Sequence, residues 1–215
     1  MEVLNFYIAN YDEILYKTIE HILLVFFAVG FAIVVGVSLG IYITQHKKLA
    51  DYVLYVTSII ITIPSIALFG LMIPILSLIN QGIGYLPAII AVFLYSLLPI
   101  VRNTYTAILN IDPALKEAAL GMGMKKSEIL FKIEIPLSIP IIMAGVRYAT
   151  VLNIGVMAIA AYIGAGGLGT FISAGITQSN ETQLIVGAIS VSILAIIADY
   201  ILLFIQNMMT SKGLK

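Results

Sequence analysis

Apolar and charged residues are segregated along this chain into long blocks. No Asp, Glu, Lys or Arg lies between Glu20 and Lys47, and none between Asp51 and Arg102. From Glu134 to Glu181 the only charge is Arg147, and from Glu181 to Lys212 the only one is Asp199. About 20 mainly apolar residues suffice to cross the hydrocarbon core of a bilayer, so each block predicts at least one span. The block 52–101 holds 50 residues, about 75 Å as helix, more than twice the roughly 30 Å core. It must fold back, and Asn80-Gln81-Gly82-Ile83-Gly84 has the chemistry of a turn. The expectation is an all-α integral membrane protein with five transmembrane helices in one domain covering 1–215. The helices fall near Ile22–Ile43, Tyr52–Ile79, Tyr85–Ile108, Leu137–Ile163 and Leu184–Met208.

Composition agrees. Of 215 residues, 61% are hydrophobic and only 10% charged, whereas soluble domains carry about 25% charge. A net charge of zero excludes a globally basic nucleic-acid binder. Cysteine is absent and the two histidines, His21 and His46, are far apart, so no disulfide framework, thiolate nucleophile or metal-ligand cluster is expected. Glu2, Asp12 and Glu13 stand where a cleavable signal peptide needs positive charge, so none is expected.

An odd number of spans puts the termini on opposite sides, and loop Lys/Arg then orients the chain. Lys47, Lys48, Arg102, Lys116, Lys125, Lys126, Lys132, Lys212 and Lys215 fall on one side, and Lys17 alone on the other. The N-terminus is therefore expected outside, with the 102–135 segment and the C-terminus in the cytoplasm. The zero net charge resolves into +4 inside and −4 outside, with Arg147 and Asp199 cancelling between. Tyr16, Tyr42, Tyr52, Tyr55 and Tyr85 lie near span ends, where such rings anchor at the headgroups. Pro64, Pro74, Pro87 and Pro99 interrupt helices two and three; such breaks are tolerated where neighbouring helices or a water-lined cavity satisfy the freed backbone groups.

The segment 109–136 is the longest hydrophilic stretch. Asp112-Pro113 is a helix start, with a capping carboxylate followed by a residue that has no N–H to waste. Leu115, Ala118, Ala119 and Met122 recur at helical spacing and predict one apolar face. Gly121 and Gly123 should stop that helix. A second short helix bearing Ile129, Leu130 and Ile133 should run to Pro136, where helix four begins. Such a loop could lie on the lipid surface through its lysines and apolar side chains.

Within this segment Glu117-Ala118-Ala119, three residues, Gly123, nine residues, Ile133, one residue, Ile135 and Pro136 resembles the EAA loop of ABC importer permeases, with Ile135 in place of Leu. The remainder is similar to the osmoprotectant branch of that family, permeases for glycine betaine, carnitine or choline. The likeness is carried by Ile63-Pro64-Ser65-Ile66-Ala67, by Tyr95-Ser96-Leu97-Leu98-Pro99-Ile100-Val101-Arg102-Asn103-Thr104-Tyr105, and by Ala161-Tyr162-Ile163-Gly164-Ala165-Gly166-Gly167-Leu168-Gly169. The resemblance implies the type I importer permease fold, two permease subunits (identical or homologous), cytoplasmic ATPases and an extracytoplasmic substrate-binding protein. It also implies that Glu117, Ala118, Ala119, Gly123, Ile133 and Pro136 couple the chain to the ATPase. An amino-acid permease, such as a methionine importer subunit, would share that loop; a stand-alone channel or secondary transporter is the remaining alternative.

Gly164-Ala165-Gly166-Gly167-Leu168-Gly169 fits G-x-G-x-x-G, but it follows a membrane helix and not a strand, so a dinucleotide site is not expected. An irregular outer loop or re-entrant hairpin suits it better. No P-loop sequence occurs. The chain is thus expected to be non-catalytic and to hold no cofactor, with ATP hydrolysed by another polypeptide. Arg147 and Asp199 are costly within a span unless paired and predict an ion pair joining helices four and five. Gly36-x-x-x-Gly40 offers a helix-contact face. Ser65, Tyr95 and Asn153 are candidates for the translocation path, Asn153 equally for a helix–helix hydrogen bond. Tryptophan is absent and the aromatic spacing shows no cage for a quaternary ammonium.

Overall fold

A computed structural model describes residues 1–210; Lys212 and Lys215, counted above in the charge asymmetry, lie outside the described residues. Every regular element among them is helical. A short α1 (Glu2–Ala9) precedes α2 (Tyr11–Ile43), and α3 (Lys47–Thr62) is followed by α4 (Ser65–Ser77). Next come α5 (Tyr85–Leu109), α6 (Pro113–Gly121) and α7 (Lys126–Ile129), then a π turn over Leu130–Glu134. α8 (Ile135–Ile159) ends in a 3-10 turn (Ala160–Ile163), and α9 (Gly169–Thr177) and α10 (Glu181–Met209) complete the fold. Among the described residues four helices are long and apolar enough to cross a membrane, and the bent pair α3–α4, counted as one broken span, makes five.

Three boundaries differ from the sequence expectation. The first span begins at Tyr11, not Ile22; its 33 residues make about 50 Å of helix, so its first turns rise beyond the roughly 30 Å hydrocarbon core. The second span is not one helix over Tyr52–Ile79: α3 and α4 meet at 102°. Pro64 is the cause, because Ile63 before it is pushed to extended backbone (ψ 126°). The helix after the coupling segment does not start at Leu137. Helix runs without interruption from Lys126 to Ile163, and the π turn absorbs Pro136. Ile135 N–H reaches back five residues to Leu130 O, widening the ladder where Pro136 brings no N–H and its ring crowds the carbonyl four residues back.

The core forms where α5 lies between α2 and α8. Glycines allow the approach. A Cβ at Gly40 would sit 2.6 Å from Thr104 Cβ, one at Gly36 2.9 Å from Ile100 Cγ2, and one at Gly145 on α8 2.8 Å from Pro99 O. Small residues at helix crossings let backbones pack closely where no hydrophobic force drives helices together in lipid. Ala28, Ala32, Ala88, Ala91 and Ala149 are fully buried in the same layer. By contrast α10 buries only Val186 and Gly187 and leaves Ile193, Ile196, Ile197 and Phe204 uncovered, as a lipid-facing helix should.

Candidate functional site

The coupling segment is a helix, a glycine turn and a second helix running into α8. Asp112 caps α6, its Oδ1 accepting from Ala114 N–H at 2.9 Å, with Pro113 at the first helical position. Gly123 adopts φ +82°. Its N–H donates to Leu120 O and that of Met124 to Ala119 O, the paired bonds by which a left-handed glycine closes a helix. Glu128 accepts from Lys125 N–H and from Lys132 Nζ, both at 3.0 Å, which opens α7. Lys116 then staples α6 to the base of α8: its Nζ lies 2.7 Å from Glu134 Oε1 and donates to Ile108 O. Glu134 is a buried carboxylate that the sequence does not mark, since the Gly123 turn separates it from Lys116 and no local spacing links the two.

The apolar face expected on α6 is only partly covered. Ala119 is 1% exposed, but Leu115 and Met122 stand out at 47% and 75%, because a short helix held by one small side chain and one staple cannot seat a whole face. On the side away from Ala119, Ala114, Glu117, Ala118 and Gly121 are all exposed and follow i, i+3, i+4, i+7 spacing, a smooth ridge with one carboxylate; Ala118, expected on the apolar face, lies on its edge. Ile133 and Pro136 are half-buried at the junction with α8. The predicted loop residues therefore divide: Glu117 and Ala118 on the free ridge, Ala119 inward, Gly123 in the turn, Ile133 and Pro136 at the root.

Arg147 and Asp199 meet. Arg147 Nε donates to Asp199 Oδ1 and Nη2 to Oδ2, each at 3.0 Å, a two-pronged match of guanidinium to carboxylate. Gln206 completes the set: its Oε1 accepts from Arg147 Nη1 at 3.1 Å and its Nε2 donates to Pro140 O at 3.2 Å. That carbonyl lies in a turn already disturbed by Pro140 inside α8. Gln206 is uncharged, and nothing in the sequence sets it apart.

The three candidates for the translocation path separate. Asn153 is fully buried, donating to Ser96 Oγ and Ala149 O at 2.9 Å; it serves the contact between α8 and α5. Tyr95 is buried too, and its hydroxyl donates to Ile63 O, the carbonyl freed at the α3–α4 break. Ser65 opens α4 just beyond that break and is half-buried. No group of acids and histidines suited to a metal ion occurs among the described residues.

Residues 21–211 match the family described as the binding-protein-dependent transport system inner membrane component. The chain belongs to this family. As a member it is a multi-pass protein of the cytoplasmic membrane and a permease subunit, with the type I importer fold. Among curated relatives, the osmoprotectant import permease protein OsmW of Salmonella typhimurium is 51% identical over 215 residues, the whole of both chains. The glycine betaine/carnitine/choline transport system permease protein OpuCB of Bacillus subtilis is 44% identical, covering 100% of this permease and 96% of that one. The choline transport system permease protein OpuBB of the same organism is 41% identical over 99% and 96%. Of solved structures, a chain of the methionine ABC transporter MetNI in an inward-facing conformation superposes with a TM-score of 0.81 at 25% identity, covering 92% of this permease and 97% of that chain.

At the opposite end of the permease the structure assembles a polar cluster that sequence reasoning missed. In the sequence Glu20 is one more outer acid, yet its Oε2 accepts from Lys17 Nζ at 2.9 Å and from Gly167 N–H at 2.8 Å. Its Oε1 accepts from Tyr85 OH at 2.8 Å. The adjoining His21 is fully buried, its Nε2 3.1 Å from Ile154 O, which makes Nε2 the protonated nitrogen. The only signal is adjacency to a long charge-free block, and that signal names no partner.

Proposed function

We propose that this chain is the membrane permease of an ATP-driven importer for quaternary-amine osmoprotectants of the glycine betaine, carnitine and choline class. The observation that carries the reading is 51% identity along the full length to a permease named for osmoprotectant import, with relatives named for glycine betaine, carnitine and choline at 44% and for choline at 41%. The ridge Ala114, Glu117, Ala118 and Gly121 is the docking surface for a separate cytoplasmic ATPase. Small side chains there admit another backbone closely, and Glu117 supplies one charged contact. Gly123 sets the angle between α6 and α7, and Ile133 and Pro136 pass the movement into α8. A second permease subunit, identical or homologous, completes the pathway, and an extracytoplasmic binding protein delivers cargo to the N-terminal side, which faces outward. Ser65 at the α3–α4 break borders the pathway, while Tyr95 and Asn153 hold its wall from behind; the Arg147–Asp199 pair joins α8 to α10.

Similarity of fold to a methionine transporter supports a second reading, import of an amino acid. Uptake of radiolabelled glycine betaine and methionine, in cells depleted of their own importers and expressing this permease with its neighbouring transport genes, separates the two. Betaine accumulation that requires the permease is expected; methionine accumulation without betaine would overturn the assignment.

A further inference from the structure

The glycine loop Gly164–Gly169, unsuited to a dinucleotide, is shaped around a carboxylate of the chain itself. Gly166 and Gly167 have φ of +74° and +71°, conformations that favour glycine. A backbone N–H turned out of such a loop can hold an anion, as in the anion-binding concavities called nests. Here the anion is the Glu20 side chain, taking the Gly167 N–H at 2.8 Å. A Cβ at Gly166 would lie 2.6 Å from the carboxylate, and one at Gly167 2.9 Å from His21 Nδ1. Both glycines are thus required by close approach as well as by φ. The same carboxylate holds Tyr85 OH, and Gly84 N–H beside it donates to Ile163 O at 2.8 Å. Glu20 from α2 therefore binds both the first residue of α5 and the loop leaving α8. Beneath it Ala165 and Leu168 are fully buried, Ala165 within the main core beside Leu24, Phe69 and Met157.

We propose that Glu20 is a positioning residue: seated in the glycine nest, it ties the N-terminal-side ends of the first, third and fourth spans into one unit and holds the loop closed over the core. Its role in uptake rests on the transport reading above; its role in closing the loop does not. The chain has no cysteine, so Ala165→Cys supplies its only thiol. In permeabilised membranes carrying the assembled importer, where a polar maleimide reaches both faces, that thiol should be protected. Adding Glu20→Ala should raise its modification rate at least tenfold. Glu20→Gln keeps one oxygen for the Gly167 N–H and should raise it less. Equal modification rates with and without Glu20→Ala overturn the proposal. Should Glu20→Ala fail to accumulate, hydrogen exchange in the unaltered importer decides instead: slow exchange at the Gly167 amide is expected, and exchange as fast as in an open loop overturns it. In uptake, Glu20→Ala should lower the maximal rate about tenfold with KM within twofold and with the ATPase still co-purifying. A loss of uptake with the thiol at position 165 still protected would count against the nest and leave the transport reading intact.

Discussion

At the end of the bundle where α2 begins, polar groups find their partners inside the chain. Glu20 has three donors, His21 is buried against Ile154 O, and Tyr7 donates to Val186 O with Ser190 Oγ 2.8 Å away. At the end carrying α6 and α7 the balance reverses. Met122 is 75% and Phe131 67% exposed, with Leu115 and Leu120 also uncovered, on a segment held by the Lys116–Glu134 staple and a few buried side chains. Large apolar side chains left bare on a polar segment mark a protein or membrane contact surface; Leu4, Ile8, Leu78 and Ile83 are bare at the first end too, so the ends differ chiefly in how their polar groups are paired. One end thus binds several of its polar groups within the chain, and the other is a polar segment that carries bare apolar side chains. The α6–α7 end has two connections into the bundle: the continuous helix that runs from Lys126 into the core, with the π turn at its root, and Lys116, bonded to Ile108 O near the end of α5.

Substitutions that probe the two ends rank by their effect on the amount of folded permease. The largest belongs to Gly169, where a Cβ would fall onto the carbonyl oxygen of Ala158, a backbone atom that cannot rotate away. Gly169→Ala should abolish accumulation of the permease in membranes, read by immunoblot. Gly121→Ala, at the α6–α7 end, meets nothing within 4 Å and should accumulate normally. Equal losses from the two would dissolve the distinction between the ends.

The intramembrane pair comes second. Arg147→Met leaves Asp199 without its two donors; because the pair is only part-buried, its side chains 23% and 39% exposed, the loss should fall below the about 3–5 kcal/mol of breaking a fully buried pair. The double substitution with Asp199→Leu should recover most of that, because no charge is then left unpaired in the membrane. Thermal unfolding in detergent measures both. A double variant as unstable as the single one would show that the pair contributes by packing alone.

Glu117→Lys should leave the amount of permease unchanged, since an exposed substitution away from special contacts alters stability by no more than about 0.5 kcal/mol. Its effect falls on function: the ATPase should still hydrolyse ATP while coupled uptake is lost. Normal uptake would remove Glu117 from the docking surface and leave Ala114, Ala118 and Gly121 to form it.

How much of this is legible in the sequence follows from what each signal depends on. The spans are readable because charge is excluded from hydrocarbon, a rule that acts on every residue of a block. Arg147 and Asp199 stand out for the same reason, and Gln206 does not because it carries no charge. Pro64 marks the break and causes it, but the sequence does not give the angle of 102°, at whose corner Tyr95 of α5 bonds the Ile63 carbonyl. Pro136 reads as a helix start because proline favours that position; a π turn upstream, which pairs Ile135 with Leu130, leaves no periodic trace. The fit of the glycine loop to Glu20 spans 147 residues of sequence, and no local pattern reports a contact so distant.

The smallest effect distinguishes contacts within the α6–α7 end. Lys132 and Glu128 form an exposed i,i+4 pair on its surface, 3.0 Å apart with the Lys132 side chain 67% exposed. Such pairs contribute about 0.2–1 kcal/mol and are screened by salt. Lys132→Ala should shift thermal stability by less than about 1 kcal/mol at low ionic strength, and the shift should fade as salt is raised. Glu128→Ala should cost more, because Glu128 also accepts the Lys125 N–H that opens α7, the reciprocal bond of a capping box. That larger loss should persist in salt, since a backbone cap is a short-range contact. If the two variants behave alike and both effects vanish with salt, the turn after Gly123 is held by charge alone. The α6–α7 end would then be shaped by the ionic strength around it rather than by its own backbone bonds.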